Sequence, residues 1–118
     1  MKTDFYTEPR KFKFDIYGET VYQKDYSKIY LEPFEMVTFV TPEGKEHDVV
    51  GAVWGYWATQ SINSRLRNNG FKTALVKSSL SRYYIAVVDT DKMPEFFAYL
   101  ERYGEHVAIW LDETEWVK

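Results

Sequence analysis

The chain has 118 residues, room for one domain of ordinary size. It is 45% hydrophobic, 28% charged and 19% aromatic with no Cys, which excludes ordinary disorder and a disulfide scaffold. A net charge of −3 speaks against a protein that coats nucleic acid by bulk charge alone.

In chain order, Met1 to Arg10 is polar, contains a Pro and reads as a frayed, flexible end. In Lys11 to Tyr17, Phe12, Phe14 and Ile16 alternate with Lys11, Lys13 and Asp15, the pattern of a half-buried strand that Gly18 breaks. Val21 to Tyr26 fits strand or loop, and Lys28 to Leu31 is a short strand near Pro33. Met36 to Trp54 reads as a β-hairpin whose turn is Pro42-Glu43-Gly44. Trp57 to Asn69 is read as a helix, from Ala58, Ile62 and Leu66 at four-residue spacing and a stop at Gly70. Phe71 to Lys77 is a strand. Arg82 to Val88, apolar on both faces, is expected at the centre of a sheet. Thr90 or Asp91 caps a helix whose face is Met93, Phe96, Phe97, Leu100 and Tyr103, and Gly104 ends it. His106 to Leu111 is the last strand, before a polar tail, 112–118.

The order from 47 to 111 is therefore β-α-β-β-α-β. The predicted class is α+β: a ferredoxin-like βαββαβ antiparallel sheet with two helices on one face. An N-terminal β-hairpin or meander, 11–41, precedes it within a single domain, 1–118. Phe12, Phe14, Phe96, Phe97, Trp110 and one of Tyr83 and Tyr84 are expected in the core.

The charges are unevenly spread. Met1 to Asp48 holds ten acids and seven bases, and Asp89 to Lys118 eight acids and three bases. Between them, Val49 to Val88 holds five bases (Arg65, Arg67, Lys72, Lys77, Arg82) and no acid. These five, with Tyr84, are the candidates for binding nucleic acid or another anion, since Arg and Lys beside sheet aromatics are how single strands are held. The run Ser81 to Val88 resembles the third-strand motif of an RRM, without its glycine or its alternating exposed aromatics.

Catalytic signatures are absent: there is no GxSxG, P-loop, HExxH or CxxC. Glu46-His47-Asp48 offers metal-ligand atoms, but neighbours on a strand point to opposite faces and converge poorly on one ion. The expectation is a non-enzyme with no metal and no cofactor. No run reaches the 18 to 20 apolar residues of a membrane span, and the N-terminus lacks a signal-peptide core. A cytoplasmic location without a membrane partner is expected.

Val49-Val50-Gly51-Ala52, an Asn-containing helix ending Asn68-Asn69-Gly70-Phe71, a strand, a Ser-rich turn and then RYYIAVV before another helix are similar to a SPOR domain. The resemblance covers Asp48 to Leu111. It implies a βαββαβ sheet that binds peptidoglycan glycan strands, hence a periplasmic setting.

The favoured reading is a small protein-interaction module. Aromatic residues and Arg are the types enriched in interface cores, and a domain this small cannot bury 22 aromatic rings. Tyr22, Tyr26, Tyr30, Trp57 and Trp116 lack a periodic core role and are the protein-binding candidates. Small, Cys-free, acidic proteins of this kind include regulators and inhibitors, some virus-encoded. The last strand, His106 to Leu111, is a candidate edge for pairing with a second copy in a homodimer.

Overall fold

A computed structural model describes residues 1–113. Among these residues the architecture is α+β, mostly sheet with two helices, in three separate sheets. The first is a two-stranded hairpin of β1 (Lys2–Ile16) and β2 (Glu19–Tyr30). The second, in the order β3-β4-β5, contains β3 (Met36–Val40), β4 (Glu46–Ala52) and β5 (Gly55–Trp57). The third, in the order β7-β6-β8, contains β6 (Phe71–Lys77), β7 (Tyr83–Asp89) and β8 (His106–Trp110). Helix α1 is Arg65–Asn68, and α2 is Met93–Tyr103.

The pairing does not reproduce the ferredoxin-like order. That order needs the strand that begins near His47 in the same sheet as the last strand. Here β4 pairs with β3 and β5, while β8 pairs with β6. The strand at the centre is β6, not the 82–88 segment, and β7 lies at an edge. Apolar residues on both faces mark a strand covered on both faces. They do not say which strands pair with its edges, and β7 pairs on one side alone, with Tyr83 and Ile85 exposed.

The expected helix over 57–69 shrinks to one turn. Gly55–Trp57 is strand, and only Arg65–Asn68 is helical. Thr59, Ser61, Asn63 and Ser64 are of the types that favour caps and turns over helix interiors, and the Ser61 hydroxyl bonds the Asn63 side chain at 3.1 Å. The stop at Gly70 stands, at φ +94°.

The first ten residues do not hang free: β1 starts at Lys2, and Lys2 to Phe5 pair with Ser27 to Tyr30. The register breaks between Phe5 and Arg10, where Pro9 cannot donate to the ladder. The ambiguous 21–26 segment is continuous strand within β2. Tyr17 and Gly18 make the tight turn, both at positive φ (48° and 81°), the geometry that matches strand twist in two-residue hairpins. The turn between β3 and β4 follows the sequence, with Gly44 at φ +97°. So does α2, with Pro94 in its first turn and a left-handed cap at Gly104. But the turn that leads into it is capped by neither Thr90 nor Asp91: the Asp89 carboxylate accepts the Asp91 N–H at 2.9 Å.

The buried apolar core is small: Leu66, Phe71, Ala74, Val76, Val88 and Leu100. Phe96, Val107, Trp110 and Ala86 pack against Ala74, Val76 and Leu100 on the α2 side of the third sheet. Phe12, Phe14 and Phe97, expected inside, are exposed, as are Tyr83 and Tyr84. The periodicity of Phe12 and Phe14 is real, but a two-stranded hairpin brings no second layer to bury it. The radius of gyration is 16.0 Å, against about 13.5 Å for a compact chain of this length.

Two knots of charge join the parts. Lys45, in the β3–β4 turn, reaches the third sheet, where its ammonium donates to Gly70 O at 3.1 Å and binds Asp89 and Asp91. The Asp89 hydrogen bond is the main reason that the lysine stays charged above its usual range. Asp112 is 2% exposed, and its carboxylate takes Lys72 Nζ at 2.8 Å and the Thr73 N–H at 3.2 Å.

Candidate protein interface

Residues directly opposite in an antiparallel ladder share a face. Phe12↔Gln23, Phe14↔Val21 and Ile16↔Glu19 define one face of the β1–β2 hairpin, and Lys11↔Lys24, Lys13↔Tyr22, Asp4↔Lys28 and Lys2↔Tyr30 define the other. Tyr26 lies two residues from Lys24 and shares its face. Tyr22, Tyr26 and Tyr30 therefore stand on one face beside Lys2, Lys11, Lys13, Lys24 and Lys28. Tyr22 is 62% exposed and Tyr26 58%. Lys11, Tyr22 and Lys24 line a cavity of about 230 Å³. Tyr30 is engaged within the hairpin: its hydroxyl donates to Asp4 at 3.0 Å and Lys2 Nζ stands 4.8 Å from its ring. The bond to Asp4 holds its proton above the usual tyrosine range.

The hairpin is tied at both ends. At the tip, Tyr17 stacks on Tyr103 with centroids 5.1 Å apart, and its hydroxyl donates to Glu105 at 2.6 Å. Tyr84 donates to the other Glu105 oxygen at 2.5 Å. Although the side chain as a whole is about one-third exposed, partial desolvation of the Tyr84 hydroxyl first, and then that bond, push it well above its ordinary pKa. Glu19 accepts from the Tyr103 hydroxyl and pairs with Arg102, which together hold it below the usual carboxylate range. At the root, the terminal ammonium meets Glu35 at 2.9 Å. Tyr17→Ala removes the stack and the hydroxyl bond. An aromatic pair contributes about 1 kcal/mol, so amides near residues 14–21 should exchange with solvent about fivefold faster. Hydrogen exchange checks this, with β6 amides unchanged as the internal reference.

A second aromatic group surrounds Trp57. The turn 32–35 is closed by the Glu35 N–H on Glu32 O at 3.0 Å, and it leaves Phe34 at φ +67° and 82% exposed. Phe34 and Trp57 have centroids 6.1 Å apart, and Trp54 meets Trp57 edge-on at 5.1 Å. Phe34, Met36, Val50, Trp57 and Gln60 line a cavity of about 380 Å³. The sequence reading singled out Trp57 but missed Phe34 and Trp54. The cue was present in Trp54-Gly55-Tyr56-Trp57, where three rings flank one glycine turn. Trp116 lies outside the described residues.

The basic candidates divide. Arg65 Nε donates to buried Asp48 at 2.6 Å, Arg67 bonds the Asp112 carbonyl, and Lys72 pairs with Asp112 while standing 4.9 Å from the Trp110 ring. Lys77 and Arg82 belong to the far end of β6 and the turn before β7, and Tyr84 is bound to Glu105. Of the two histidines, His47 lies in β4 with Nε2 2.5 Å from Ala58 O, and His106 starts β8 in another sheet. Among the described residues, no helix is long and apolar enough to cross a membrane. The chain matches no protein-family model, no curated protein and no solved structure.

Proposed function

We propose that this chain is a non-enzymatic protein-interaction module, a regulator or inhibitor that works by binding a protein partner. The observation that supports it is the exposed ring cluster of Phe34, Trp57 and Trp54, of which Phe34 and Trp57 line a 380 Å³ hollow and Trp54 meets Trp57 edge-on. Large rings left in water on a folded surface mark binding sites, and Trp is the side chain that most often dominates such interfaces. The Tyr22 and Tyr26 face, with its lysines, serves as a flanking surface that sets partner choice and association rate by charge.

Nucleic-acid binding through the 49–88 segment is the second reading, and it draws on fewer free charges. Arg65, Arg67 and Lys72 already face carboxylate or carbonyl oxygens of this chain.

The test is affinity capture from the native host, with Trp57→Ala alongside. A single protein recovered in proportion to the bait, and bound at least tenfold more weakly by the variant, is the expected result. Recovery of RNA or DNA alone, with strong salt dependence, overturns the proposal.

A further inference from the structure

Sheet edges invite pairing, and soluble proteins blunt them with lysines, prolines, bulges or short length. The described edges here differ sharply in that respect. Both hairpin strands carry lysines, and β1 adds Pro9 and a register break. In the second sheet, β3 has five residues and β5 three. The edge strand β8 also has five, and its ladder with β6 slips between Leu75 and Val76. Only β7 has none of these devices. Its seven residues, Tyr-Tyr-Ile-Ala-Val-Val-Asp, contain no Lys, Arg, Pro or Gly, and its register with β6 is unbroken. Tyr83 and Ile85 are each 57% exposed.

We infer that β7 is a dimerisation edge and that its occupant is β7 of a second copy. A two-fold axis through Ala86 sets Ile85 opposite Val87, Tyr84 opposite Val88 and Tyr83 opposite Asp89 of the copy. Every apolar residue then meets an apolar residue or a ring, and no like charges are opposed. The single acid, Asp89, already holds Lys45 and meets a tyrosine. The axis stands normal to the sheet, so the two three-stranded sheets join into one of six strands. Both copies of α2 then lie on one face. Tyr83 and Ile85 extend across the seam on the other face, beside their β6 neighbours Lys77 and Leu75. An interface of one short strand pair with its flanking side chains is small, so the dimer belongs to the weak, concentration-dependent class. This inference stands apart from the ring cluster at Trp57, which lies in another sheet.

Sedimentation velocity of the full chain from 10 to 500 µM tests it (concentrations chosen for about micromolar to sub-millimolar affinity). A reversible monomer–dimer equilibrium is expected. Ile85→Lys should weaken it at least thirtyfold, because it places an ammonium opposite Val87 at two symmetric positions. Residue 85 is exposed, so the fold should survive, and unchanged circular dichroism will report that. Ala86→Cys gives an independent readout. The chain has no Cys, and at the axis two residues 86 face each other within disulfide range. Mild oxidation should yield a covalent dimer, and Ile85→Cys, whose opposite is Val87, should not. A wild-type monomer at 500 µM overturns the inference, as does a dimer that Ile85→Lys leaves intact. Loss of the dimer with partner capture retained leaves the proposed function standing.

Discussion

Gly51→Ala should destabilise the protein by about 2–4 kcal/mol, the sum of a backbone overlap and weakened hydrogen bonds. A Cβ at Gly51 falls 2.4 Å from Glu32 O and 3.0 Å from Leu31 Cβ. The first is main chain, so no rotamer change relieves it. The same glycine donates its N–H to Glu35 O at 2.8 Å and accepts from the Phe34 N–H at 2.9 Å. These bonds fasten the turn after β2 to β4, and the root of the hairpin moves if the two segments separate. Phe34 lies in that turn, so the ring cluster loosens with it. Chemical denaturation reads the loss of stability. An alanine variant as stable as the parent contradicts the close approach.

Asp112→Ala should cost a further large amount, about 2–3 kcal/mol, because the buried Thr73 N–H loses its acceptor and Lys72 its main partner. Acid should have a related effect. Burial opposes the Asp112 charge, but Lys72 and the Thr73 amide more than offset it, and the carboxyl stays below its usual range. Asp48 is also held low, first by the Thr38 hydroxyl at 2.7 Å and then by Arg65. A carboxylate whose pKa is depressed by folding contributes stability that is fully present above its unfolded value, about 3.9. That contribution is lost as pH falls through the lower folded value. Stability should therefore be flat from pH 7 to about 5 and decline below about 4. The double variant Asp48→Asn, Asp112→Asn should be less stable at neutral pH and show a shallower acid decline. A decline as steep as that of the parent assigns it to other carboxylates.

The sequence was informative where short-range rules decide the outcome. The i, i+3, i+4 face of α2, its stop at Gly104 and the Pro42-Glu43-Gly44 turn depend on residues within one or two turns of each other. The failures share a different cause. Ala58, Ile62 and Leu66 are spaced for a helix, but the Ser, Thr and Asn residues between them have low helix propensity, and periodicity carries no information on that. Phe12 and Phe14 alternate as in a buried strand, yet burial depends on a second layer, a long-range property. The order of strands in the sheets is of the same kind: nothing within 82–88 indicates which strands lie beside it. At the candidate interface, Tyr22, Tyr26 and Trp57 were legible as rings without a core role. Phe34 was not, because its exposure follows from a positive-φ turn after Pro33. Arg65, Arg67 and Lys72 read as a basic patch because the acids that bind them, Asp48 and Asp112, lie 17 to 45 residues away.

The strand pairings also bear on how quickly the protein folds. β1 with β2, β3 with β4, β4 with β5 and β6 with β7 each join neighbours in the chain, so their closure entropy is small. Among the described strand pairs, only β6 with β8 closes a long loop, bringing Val76 opposite Val107 across the whole of α2. That docking should be the slow event, because its loop closure costs the most entropy before Leu100 can meet Val76. Destabilising changes in the β1–β2 hairpin should speed unfolding and leave the refolding rate unchanged, whereas changes at Leu100 or Val107 should slow refolding.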